Sequence, residues 1–147
     1  MYQRILVATD GSTLSKKAVS HALELAQLSG AELVALKVTP RYPQNYFDGG
    51  LVLAQDDINK IEKQWTSQAQ DVLDKIVKSA KSKGINAKAV VAKSDLVSDA
   101  IIATAKKSKC DLIVMASHGR KGIKRLLLGS ETQQVLTHSH IPVLVLR

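Results

Sequence analysis

Leu112-Ile113-Val114-Met115 runs directly into Ala116-Ser117-His118-Gly119, and nine residues later Gly129-Ser130-Glu131-Thr132-Gln133 begins. The first part reads as a buried strand and the last as the start of a helix. The segment between them is basic, with Arg120, Lys121, Lys124 and Arg125. This order suits an anionic ligand. Backbone N–H groups at a helix N-terminus have no acceptor within the helix, and the helix dipole favours negative charge there.

The same alternation of short apolar runs and longer helical patterns extends on both sides. Ile5 to Thr9 reads as the first strand. A helix follows from Thr13 to Ser29, its apolar residues (Ala18, Val19, Ala22, Leu23, Leu25, Ala26) spaced by three and four, and Gly30 stops it. Glu32 to Val38 is the second strand. Asp56 to Lys83 is a helix with an apolar stripe of Ile58, Ile61, Trp65, Ala69, Val72, Ile76 and Ala80, ended by Gly84. Trp65 belongs to that stripe, so packing is its expected role rather than ligand stacking. Ala87 to Ala92 is the third strand. Val97 to Lys107 is a helix capped by Asp95, with Lys106 and Lys107 favourably placed at its C-terminus. Leu112 to Ala116, a helix from Ser130 and a strand from Val143 to Leu146 complete the order. Repeated strand–helix units predict a parallel sheet covered by helices on both faces, an α/β architecture.

Such a sheet binds ligands beyond the carboxyl ends of its strands, where the strand order reverses. Thr9-Asp10-Gly11-Ser12 is one loop suited to that place. Asp10 can accept hydrogen bonds from ribose hydroxyls or an adenine amino group, or it can cap the helix that follows. Ser12 can also supply that cap. Lys16 and Lys17 lie in the first turn, facing either a phosphate or solvent. In the second loop, Gly119 and Gly129 allow close approach of backbone to phosphate oxygens. Ser130 offers a hydroxyl and an N–H, or forms a capping box with Gln133. His118 is a phosphate contact or simply exposed. Glu131 suits the helix dipole, but its charge repels a phosphate placed too near.

Composition narrows the classes. The 147 residues are enough for one domain, residues 1–147, and 45 % are apolar, in the globular range. The single cysteine, Cys110, excludes an internal disulfide framework and reads as a small residue leading into a strand. No apolar run approaches the roughly 20 residues of a membrane span, and no signal-peptide pattern opens the chain, so a cytoplasmic protein without a membrane partner is expected. The net charge of +8 favours an anionic partner without choosing one. Part of it is a solvated helix face (Lys75, Lys78, Lys81, Lys83). Nucleic-acid binding lacks a supporting motif. Walker, nucleophile-elbow and zinc-peptidase motifs are absent, and His21, His138 and His140 lack partners at metal-ligand spacing. No catalytic residue and no metal ligand is assigned. The long segment from Thr39 to Gln55, with Tyr42, Tyr46, Phe47 and Gly49-Gly50, reads as a surface loop or a lid.

Taken together, Ile5-Leu6-Val7-Ala8-Thr9-Asp10-Gly11-Ser12, the Leu112 to Gly119 run, Leu127-Leu128-Gly129-Ser130 and Ile141-Pro142-Val143-Leu144-Val145-Leu146 closely resemble the universal stress protein family over nearly the whole chain. The resemblance implies a three-layer α/β/α, Rossmann-like fold with a five-stranded parallel sheet in the order 3-2-1-4-5, and a homodimer in the cytoplasm. Its nucleotide-binding members carry Gly, two residues, Gly, nine residues, then Gly and Ser or Thr. Gly119, the spacer and Gly129-Ser130 match; Ala116 replaces the first glycine. A positive φ at that position would make the methyl group costly, whereas ordinary strand angles would make it cheap. By the same resemblance, Asp10 and Val38 meet the adenosine end of ATP, with Ala8, Thr9 and Met115 nearby. Gly119, Gly129, Ser130, Glu131 and Thr132 surround ribose and phosphates beside Ala116, and magnesium binds through the phosphates.

The expected function is that of an ATP-binding stress-response dimer, with slow hydrolysis or autophosphorylation at most. The rival is a dimeric interaction protein of the same fold that binds no nucleotide. The Val143–Leu146 strand would leave an apolar sheet edge, which pairing with a second copy would cover.

Overall fold

The structure is a computed structural model and describes residues 1–43, 54–119 and 128–147. Five strands and four helices alternate: β1 (Arg4–Ala8), α1 (Thr13–Ser29), β2 (Glu32–Thr39), α2 (Gln55–Ser82), β3 (Ala87–Lys93), α3 (Val97–Lys107), β4 (Leu112–Ala116), α4 (Ser130–His138) and β5 (Val143–Leu146). All pairings are parallel, in the order β3-β2-β1-β4-β5. The strand–helix alternation predicts the parallel sheet with helices on both faces, and the strand order is the one the family resemblance implies.

Period-two alternation sorts the strand residues onto two faces. Ile5, Val7, Leu33, Ala35, Leu112 and Val114 pack with α1 and α2 residues such as Ala22, Leu73 and Ile76. Leu6, Val34, Leu36, Ile113 and Met115 pack with Ile101 and Ala105 of α3 and Val135 of α4. Both faces of the central strands are therefore dry, which is why β1 and β4 read as unbroken apolar runs. The α2 stripe differs in detail from its prediction. Ile58, Ala69, Ile76 and Ala80 are buried, but Ile61, Trp65 and Val72 are only partly so, and Leu73 is fully buried. Trp65 stacks on Tyr42, with ring centroids 6.1 Å apart.

Local signals set both ends of α1. Ser12 caps α1 through a hydrogen bond from the Ser15 N–H, and Gly30 ends it at φ 71°. Asp95 does not cap α3. Its Oδ1 accepts the Arg41 N–H at 3.1 Å, and α3 has Leu96 at its N-cap position with no side-chain bond there. The helix is drawn into place by packing of Ile101 and Ala105 rather than by a local cap. At the opposite end of the sheet, Asp111 accepts the N–H groups of Gln3 (2.8 Å) and Arg4 (3.0 Å). Burial works against its ionisation, but those amides outweigh it and hold the carboxyl below its usual range. Cys110 is buried, and burial pushes its thiol up to about 11, which leaves it unreactive near neutral pH.

Candidate functional site

The strand order reverses between β1 and β4. Ile5 pairs with Leu112 and Val7 with Val114, so the two strands end side by side. Each then feeds a helix N-terminus on the carboxyl side of the sheet.

The β1–α1 junction is held by its own side chains. Thr9 Oγ1 accepts the Gly11 N–H at 3.2 Å and lies 3.0 Å from Ser15 Oγ. Asp10 Oδ1 accepts the Ser12 N–H at 2.9 Å. Asp10 therefore shapes the turn, while the cap itself is Ser12 Oγ, which accepts the Ser15 N–H at 3.2 Å. Lys37 Nζ lies 3.4 Å from the Asp10 carbonyl. Lys17 Nζ lies 3.4 Å from the Arg147 carbonyl, and Lys16 is exposed.

The β4–α4 junction is built differently. Its N-cap is Gly129, which makes no side-chain cap bond, so the expected Ser130–Gln133 capping box does not form. Ser130 is already the first helical residue, one position too late for that role. Gln133 Nε2 instead donates to the Leu128 carbonyl at 3.0 Å. The turn is anchored from below. Thr132, 2 % exposed, donates its hydroxyl to the carbonyls of Ala116 (2.9 Å) and Ser117 (3.0 Å). The Gly129 N–H donates to the Ser117 carbonyl at 2.7 Å. The helical bonds begin only with the Gln133 N–H to the Gly129 carbonyl. The N–H groups of Ser130, Glu131 and Thr132 precede that bond and have no acceptor among the described residues. Those three amides, with the helix dipole behind them, form a ready anion cradle.

Two close approaches explain the glycines. A Cβ on Gly119 would stand 2.6 Å from Asp10 Oδ2, so the loops after β1 and β4 meet at this pair. A Cβ on Gly129 would stand 3.3 Å from both the His118 Cα and the Ser117 carbonyl oxygen. At Ala116 no such need exists. It pairs with Leu146 as an ordinary strand residue, and the residues with positive φ do not include it. The methyl group there carries no backbone strain.

The remaining sequence-predicted site residues divide between the core and the turn after β4. Met115 is buried in the core beneath α3 and α4, and Ala8 and Val38 pack against that same core. His118 is partly exposed, its Nδ1 3.1 Å from Ser117 Oγ. Glu131 is the residue whose side chain the sequence did not place. Its Oε2 accepts the Ser98 N–H of α3 at 3.1 Å. The basic residues Arg120, Lys121, Lys124 and Arg125, and the loop residues Tyr46, Phe47, Gly49 and Gly50, lie outside the described residues.

Two open hollows lie against α2, one reaching Thr9 and Gly11 of the β1–α1 junction and the other Val38. One of about 430 Å³ is lined by Thr9, Lys16, Leu23, Lys75 and Ile76, among others. The other, of about 340 Å³, is lined by Lys37, Thr39, Pro40, Trp65 and Val72, among others. Neither includes the α4 turn. Among the described residues no three His, Cys, Asp or Glu side chains converge as metal ligands. No described helix is long and apolar enough to cross a membrane.

Comparison with known proteins matches the whole chain and its fold. The model of the universal stress protein family matches residues 1–147. Universal stress protein MJ0531 of Methanocaldococcus jannaschii is 33 % identical over 147 residues, spanning all of this chain and 83 % of that protein. The solved structure of hypothetical protein MJ0577 from the same organism superposes with a TM-score of 0.85 and 27 % identity, covering 99 % of this chain and 96 % of that one. A universal stress protein solved in complex with cAMP superposes with a TM-score of 0.69 and 26 % identity, covering 99 % of this chain and 97 % of that one.

Proposed function

This chain belongs to the universal stress protein family, and on that premise we propose that it binds an adenine nucleotide, ATP in its working form, between the ends of β1 and β4. The observation that carries the reading is the open turn at the start of α4. Three successive amides (Ser130, Glu131 and Thr132) lack acceptors among the described residues and sit beside a glycine N-cap. An anionic group would supply their missing acceptors without displacing any existing bond. The cAMP complex of a relative with the same fold supports adenine nucleotides as the ligand class.

In this reading Ala8, Val38 and Met115 form the apolar floor for the base, with Thr9 and Asp10 at its edge. Asp10 accepts from the base or ribose. Ala116, Gly119, Gly129, Ser130, Glu131 and Thr132 surround ribose and phosphates, chiefly through backbone groups. Magnesium, where present, is held through the phosphates rather than by a protein ligand set. The role in this reading is binding and regulation in a stress response. Nucleotide occupancy would order the loops around the crevice and alter the surface offered to partners. In the cytoplasm the working unit is a homodimer joined through β5, whose Leu144 is 38 % exposed at the sheet edge.

Calorimetric titration with ATP and magnesium, beside a Gly129→Val variant, tests this. The wild type should release heat with one site per chain, and the variant should bind at least about tenfold more weakly, because its side chain meets backbone. No heat from the wild type, or equal affinities, would overturn the reading.

A further inference from the structure

Glu131 stands in the first turn of α4, on the cradle itself, yet its carboxylate is turned away to a different helix. Oε2 lies 3.1 Å from the backbone nitrogen of Ser98, a residue 33 positions earlier in the chain. Ser98 is the second residue of α3 and is 7 % exposed. That helix begins without a cap of its own. Leu96 occupies the N-cap position, and Asp95, the residue the sequence offers, is engaged with the Arg41 N–H. Ser94 Oγ accepts the Leu96 N–H, one step too early to serve the helical amides. A carboxylate from α4 thus supplies the acceptor that α3 lacks, and it does so at the positive end of the α3 dipole.

We propose that Glu131 is a positioning residue for the nucleotide site, resting on the nucleotide reading above. The tie has two effects on the cradle. It fixes the first turn of α4 from the side, while Thr132 and Gly129 fix it from below through the end of β4. Three unpartnered amides are then held in one orientation before a ligand arrives, which lowers the ordering cost of binding. It also directs the only carboxylate in that turn toward α3 and so away from the arriving phosphate. An acidic residue among phosphate-binding amides, unfavourable when read from the sequence, becomes compatible with them.

The same tie joins ligand to helix. Binding at the α4 turn stiffens the Glu131–Ser98 bond, so occupancy of the crevice reaches the α3 N-terminus. Linkage requires the reverse as well: loosening that end of α3 weakens the nucleotide.

Glu131→Gln keeps an oxygen acceptor for Ser98 and removes the charge, whereas Glu131→Ala removes both. AMP and ATP affinities are measured by calorimetry for both variants and the wild type, with hydrogen exchange of the Ser98 amide in the same proteins. Glu131→Ala should speed Ser98 exchange at least about tenfold and weaken both nucleotides about tenfold. Glu131→Gln should stay within about threefold of wild type on both measures. Wild-type affinity in Glu131→Ala overturns the inference alone, as does a loss in Glu131→Gln as large as in Glu131→Ala. Tighter ATP binding by both variants would show a repelling charge rather than a positioning one. Absence of nucleotide binding in the wild type overturns the functional reading and this inference with it.

Discussion

Two neighbouring strands of one sheet end on the same side, each feeding a helix, and the two junctions are opposites. After β1, Thr9, Asp10, Ser12 and Ser15 satisfy one another and the local amides. The helix start is closed at its cap, where Ser12 takes the Ser15 N–H, while the Thr13 and Leu14 amides have no acceptor among the described residues. After β4, the N-cap is a glycine with nothing to offer, and three amides remain open. There the side chains work outward or downward instead. Thr132 reaches the end of β4, Glu131 reaches α3, and Gln133 reaches back to Leu128. The difference teaches that a turn can be anchored by other means while its cap is withheld, which is what the proposed anion site needs. Both junctions start a helix, but α1 spends a side-chain cap on its first turn and α4 spends none.

That contrast can be broken most severely at the anchor. Thr132→Val removes a buried hydroxyl shared by two carbonyls. It should cost about 1–3 kcal/mol of stability, a fall of about 2–10 °C in Tm for a chain of this size by calorimetry, and it should weaken nucleotide binding as well. Next comes the point where the two junctions touch. In Gly119→Ala the new methyl stands where Asp10 Oδ2 is, 2.6 Å away. The carboxylate must turn aside from its place between the two loops, and ATP affinity should fall about tenfold in titration. An unchanged affinity would show that Asp10 serves the turn alone.

The closed junction should behave differently. Ser12→Ala removes the α1 cap and should lower stability by about 1 kcal/mol in urea unfolding, while ATP affinity stays the same. A loss of affinity there would erase the distinction between the two loops. The smallest effect belongs to Ala116→Gly. It restores the glycine seen in the family's nucleotide-binding members, yet the position is already a regular strand residue. Affinity should change by less than about twofold, and stability should drop by about 0.5–1 kcal/mol. A large gain in affinity would show that the methyl group obstructs the ligand.

Much of this was legible from residue order. The Thr13–Ser29 helix, its Gly30 stop, the Leu112–Ala116 strand and the Ser130 helix start all coincide with their predicted bounds, because each rests on a period or a terminator within a few residues. Candidate caps were less secure. Asp95 and the Ser130–Gln133 pair have the right chemistry at nearly the right place. A cap depends on one residue's φ and ψ and on what else its side chain can reach, and a shift of one position abolishes it. The α2 stripe erred for a related reason. The pattern gives the face, but neighbouring elements decide how deeply Trp65 or Val72 is covered and whether Leu73 is included.

The chain by itself determined the succession of strands and helices, the two-sided burial of the sheet and the glycine-flanked turn after the fourth strand. All three follow from spacings that are local along the backbone. The folded arrangement alone decided that Gly119 must clear Asp10, that Thr132 is an anchor and that Glu131 serves Ser98. These partners are far apart in sequence. They meet only because parallel pairing sets β1 beside β4 and brings α3 and α4 onto one face, where a side chain's best hydrogen-bond partner lies on another element.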